Sequence, residues 1–156
     1  MWQRIQTLYN LISSFCMLTA LFVPVWSKKI ETTSIKINYF WIVKHNSLNV
    51  IEKYSIFYVG LLALLASFLS LLSALKYTNR PLQLKIGLFN SFLLTLVLVL
   101  IAFSTSKGNK MLVSNDNGSF EIGFYLPGVA LIFNWLANRA IKKDEKLVKD
   151  AFERLR

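Results

Sequence analysis

Three asparagines, Asn10, Asn90 and Asn134, stand inside long apolar runs, where a polar side chain is costly unless it is paired. Their amides both donate and accept hydrogen bonds, so together they could hold a polar headgroup or solute. They do not titrate near neutral pH and cannot relay protons. Each belongs to a stripe at helical spacing. Gln3, Gln6, Asn10 and Ser13 or Ser14 form one, Gly87, Asn90, Ser91 and Thr95 another, and Ala130, Asn134, Ala137 and Asn138 a third. Gly60, Ala63, Ser67, Ser70 and Ala74 make a fourth, without an amide. Small residues and interhelical hydrogen bonds also hold helices together in lipid. The stripes therefore fit a packing seam as well as a polar pathway.

A second constellation comes from two distant segments. Gln3, Arg4 and Gln6 open the first apolar run, and Asn138, Arg139, Asp144 and Glu145 follow the last. If both segments reach one face of a helical assembly, these side chains meet at its rim, with Asn138 at the depth of Gln3 and Gln6 and the better placed partner. Such a rim could dock a partner.

Other chemistries lack their residues. The chain has 156 residues with one Cys and one His, so it holds no intramolecular disulfide, paired-thiol redox centre or His-cluster metal site. None of the apolar runs has an acid in its central part, which argues against a proton-coupled carrier. Ser67 and Ser70 have no His or Lys beside them to make a nucleophile. No enzymatic activity and no cofactor is expected. His45 reads as a solvated loop residue and Cys16 as a small packing residue.

The composition says what kind of scaffold must position these groups. Hydrophobic residues make up 54% and charged residues 17%, too apolar for a soluble domain of this size. Four runs reach or approach the roughly 20 residues that cross a bilayer, at about 5–26, 54–75, 84–103 and 120–138. The first is too long for the core of a signal peptide and is expected to be retained. The reading is a single membrane domain over 1–156. Its class is an all-α, four-span up-down bundle whose last helix extends as an amphipathic tail over 139–156.

Orientation rests on Lys and Arg. With the N-terminus inside, the inner segments carry eleven of them, including Lys76, Arg80 and Lys85 in one short turn. The outer loops carry seven, Lys28 and Lys29 among them. Both termini are expected in the cytoplasm. Outside, Ile35, Ile37, Tyr39 and Trp41 alternate with Lys36, Asn38 and Phe40 and predict a strand. Asn117-Gly118 between Lys110–Val113 and Phe120–Phe124 predicts a hairpin. These would make a small extracytoplasmic hairpin or three-stranded sheet. Pro127 either opens the fourth helix from near Leu126 or kinks one that starts near Phe120. Between Gly128 and Arg156 no residue breaks the helix, and opposite charges four apart support the tail.

The two ends of the chain carry a resemblance. Met1-Trp2-Gln3-Arg4-Ile5-Gln6-Thr7, and the run from Ala137 through Asn138-Arg139-Ala140-Ile141-Lys142-Lys143-Asp144-Glu145-Lys146 to Val148 with the closing Arg154-Leu155-Arg156, resemble a family of uncharacterised four-helix integral membrane proteins of Bacteroidota. The likeness covers the whole chain and implies a bacterial inner-membrane protein, and no activity. The expected partners are the lipid bilayer and, through the rim and tail, another membrane or cytoplasmic protein. The tail's net charge of +3 and its lack of aromatic stacking residues do not suit nucleic acid. The expected role is a non-enzymatic accessory or scaffold component, with a small carrier or lipid-binding protein using the polar seam as the alternative.

Overall fold

The computed structural model describes residues 3–30, 33–46, 50–76, 79–111 and 118–154. Four helices and five strands follow in the order α1 (Gln3–Ala20), β1 (Trp26–Ile30), β2 (Thr33–Ile37), β3 (Trp41–Asn46), β4 (Val50–Ser55), α2 (Phe57–Leu75), α3 (Arg80–Met111), β5 (Ser119–Phe120) and α4 (Ile122–Arg154). Helix α1 packs on α2 and α4, and α3 packs on the same two, so the helices close a ring.

The class is therefore not all-α. A five-stranded antiparallel sheet, ordered β4-β3-β2-β1-β5, lies between α1 and α2 in sequence and takes its last strand from the segment before α4. Its alternation extends well beyond the stretch 35–41. Strand β1 pairs Trp26 with Ile37, and β3 pairs Trp41 with Ser55. The run 35–41 is itself broken by a tight turn, closed by the Asn38 amide donating to the Trp41 carbonyl at 2.9 Å. The expected hairpin does not form as read. Lys110 and Met111 belong to α3, and Phe120 pairs with Trp26. Asn115, Asp116 and Asn117 lie outside the described residues.

The expectation of four spans is also overturned. Among the described residues, two helices are long and apolar enough to cross a membrane, α2 and α3. Helix α1 ends at Ala20, and its Gln and Asn stripe dilutes an 18-residue helix. Helix α4 reaches Arg139 after 17 mostly apolar residues.

Sheet and helices share one core. Trp26, Ile35, Ile37, Tyr39 and Ile42 pack with Met17, Ala20, Val59 and Ile101. Lys28, counted above with the outer lysines, is buried, and its Nζ donates to Asn109 Oδ1 at 2.8 Å. Pro127 falls inside α4, which starts at Ile122. Proline has no N–H, so the Gly123 carbonyl four residues back loses its helical donor. The buried Tyr39 hydroxyl takes that place, donating to Gly123 O at 2.9 Å. Burial also pushes the Tyr39 phenol well above its usual pKa. Gly123 is needed there because a side chain would strike the carbonyls of Val23 and Pro24.

Candidate functional site: a polar seam and a grooved rim

Serines of α2 organise the seam. Asn10 Nδ2 donates to Ser73 Oγ at 3.1 Å, and Asn90 Nδ2 donates to Ser70 Oγ at 2.8 Å. Ser70 Oγ also lies 3.2 Å from Ser13 Oγ, which donates to the Ala130 carbonyl at 3.0 Å. Asn134 Nδ2 reaches α3, donating to Gly87 O at 2.9 Å and Ser91 Oγ at 2.7 Å. Among the described residues each asparagine is held by hydroxyls or backbone of α2 or α3 rather than by another asparagine.

Counting protons fixes the sense of this network. Ser13 spends its proton on Ala130, so Ser70 donates to Ser13. Ser70 can then only accept from Asn90, which must present its NH2 group. Asn134 is fixed in the same way by donating to a backbone carbonyl. Gln83 is fixed too, its Nε2 donating to Ser73 O at 2.9 Å. Each amide nitrogen is thus engaged, and four buried amide oxygens, on Asn10, Gln83, Asn90 and Asn134, have no partner among the described residues. Gln83, fully buried, was missed by sequence reasoning. Its spacing of four and seven before Gly87 and Asn90 was the available signal.

At the rim Asp144 joins three helices. Gln6 Nε2 of α1 donates to its Oδ2 at 3.2 Å. Arg80, at the start of α3, places Nη2 3.7 Å from the same oxygen and donates from Nη1 to the Asp144 carbonyl at 3.3 Å. Asn138 does not face α1; its amide lies over Gly87, where any side chain would collide with it. Arg139 is exposed, with its guanidinium 5.5 Å from the centre of the Trp135 ring. Glu145 is half-buried and bonded. Gln3 and Arg4 lie in the first turn of α1, and their side chains lie outside the described residues.

Between α1 and α4 at this end runs a groove of about 520 Å³. Ile5, Tyr9, Leu136, Ala140 and Leu147 form its apolar walls, and Gln6, Arg139, Lys143 and Asp144 its polar lip. Sequence reasoning placed the lip residues at one rim but did not see a groove, because a groove depends on how closely two helices approach. No group of three or more metal-ligating side chains occurs among the described residues.

No curated protein matches the chain. A family model described as "Domain of unknown function (DUF4293)" matches residues 2–155, nearly the whole length. The chain that builds this seam and rim is a member of that family.

Proposed function

We propose that the chain is a multi-pass protein of the bacterial inner membrane with both termini in the cytoplasm. In this reading it is a non-enzymatic accessory component that engages its partner at the rim around Asp144. One observation carries the membrane placement: the helices are polar inside and apolar outside. Asn10, Ser70, Asn90 and Asn134 are at most 1% exposed, whereas Phe15 is 68%, Phe103 67% and Phe92 64% exposed. Water would favour the reverse, and lipid favours this arrangement. The rim reading is supported by the density of charge around Asp144 and by the groove beside it.

A photo-crosslinking side chain at Lys142, on the rim, and another at Lys29, on the sheet, test it in intact cells. Both positions are exposed. The expected result is a discrete adduct from position 142 and none from position 29. No adduct at 142, or the same adduct from both, would overturn the rim reading.

The four unpartnered seam oxygens favour a second reading, a small carrier whose solute brings hydrogen-bond donors. Ser70→Cys, made with Cys16→Ser, should then react with a small cationic thiol reagent. Complete protection of the thiol would end that reading.

A further inference from the structure

We propose that the groove between α1 and α4 is a binding site for an anionic phospholipid, with one acyl chain between the helices and the phosphate at the Arg139–Lys143 lip. This deepens the rim reading above and rests on its membrane placement. The walls suit an acyl chain, since Ile5, Tyr9, Leu136 and Ala140 offer apolar surface with no buried charge among them. The volume of about 520 Å³ falls inside the roughly 300–1,000 Å³ range of sites that enclose small molecules. Leu8 and Leu11 on α1 and Ile132 and Trp135 on α4, each within about a turn of a groove residue, are exposed and apolar. A chain can therefore enter sideways from the bilayer.

Charge selects the headgroup. Arg139 and Lys143 lie one helical turn apart on the lip. The carboxylate beside them, Asp144, is already engaged by Gln6 and Arg80, and the two cations that line the groove outnumber the one acid that lines it. Trp135 lies against the Arg139 guanidinium, the kind of aromatic found at headgroup depth. Basic pockets between helices at the cytoplasmic face of a membrane are established sites for anionic headgroups. A guanidinium pairs with phosphate oxygens, and beside two cations the quaternary ammonium that a zwitterionic phospholipid adds beyond its phosphate is repelled, whereas a headgroup with no cation is not.

The test uses the full chain in nanodiscs of mixed phosphatidylglycerol and phosphatidylcholine, with retained lipid counted by native mass spectrometry. The expected result is preferential retention of phosphatidylglycerol. Arg139→Gln with Lys143→Gln should reduce that preference about tenfold, the size of one lost charge-assisted contact. Ala140→Phe, which fills the groove and leaves the lip charges in place, should abolish retention of either lipid. Lys29→Gln should change nothing. An excess of glycerol phosphate should not displace the lipid; displacement would mean the lip binds phosphate without the chain and would overturn the proposal. Equal retention of both lipids, or no effect of Ala140→Phe in a variant with unchanged helix content, would also overturn it. Release of the wild-type chain from membranes by alkaline carbonate would instead defeat the membrane placement itself, separately from the choice of lipid.

Discussion

The two ends of the helical layer are closed by different means. At one end a five-stranded sheet packs on the helices, and the start of α4 is fastened largely through backbone groups: the Glu121 amide donates to Val25 O, the Gly123 amide to Pro24 O, and the Tyr39 hydroxyl to the Gly123 carbonyl. At the other end no strand occurs among the described residues. Closure rests on side-chain donors, with Asn138 over Gly87, Gln6 and Arg80 on Asp144, and a groove left between α1 and α4. The sheet end is sealed by register. The rim end is held by a few polar contacts and retains an opening, which is where a binding surface can exist.

The largest effect should come from filling the closest approach at the rim end. Gly87→Leu displaces the Asn138 amide and crowds the carbonyl that accepts from Asn134. Overpacking and an orphaned buried amide together should cost roughly 3 kcal/mol or more, read by thermal unfolding in detergent.

Next is Tyr39→Phe at the sheet end. It leaves the Gly123 carbonyl without a donor, a loss of about 1–2 kcal/mol. The substitution also has a pH signature. Burial raises the folded phenol's pKa, so its contribution to stability is complete below the ordinary value of 10.0 and is lost as pH rises beyond it. Wild type should lose stability more steeply than Tyr39→Phe above pH 10. Parallel alkaline profiles would mean that Tyr39 is not sealed by the sheet.

Gly128, on α4 between the two ends, has open space where a Cβ would go. Gly128→Ala should stabilise the helix by about 0.5–1 kcal/mol, in contrast to Gly87, and a destabilised variant would show that α4 packs more tightly there than described. The smallest effect belongs to Arg80→Ala. Its pair with Asp144 spans 3.7 Å and is partly exposed, so its loss should cost about 0.5 kcal/mol and vanish in high salt.

The difference between the ends also explains what could be read from the residues. Helical spacing brought out Asn10, Asn90 and Asn134 because a period of three to four marks a face whatever lies opposite it. The continuation of α4 past Arg139 was legible for a similar reason, since no breaker follows Gly128. The sheet was underestimated because β1 and β5 are short and their partners are distant: Trp26 pairs with Phe120 across 94 positions of sequence. Two helices too polar to qualify as spans looked adequate when only run length was considered. The role of Tyr39 was invisible because it depends on the carbonyl that Pro127 leaves free. At the rim, the approach of Gln6 to Asp144 follows from α1 and α4 being neighbours, but Asn138 turned to Gly87 because a glycine there opens a space that an amide fills.

The central claim is that these two ends face opposite sides of a membrane, with the rim inside. Single cysteines tested in spheroplasts with a membrane-impermeant maleimide address it most directly. In a Cys16→Ser background, Lys29→Cys on the sheet and Lys142→Cys on the rim are both exposed positions. The account predicts that position 29 is labelled in intact spheroplasts and position 142 only after permeabilisation. Labelling of both before permeabilisation, or of position 142 alone, would contradict it.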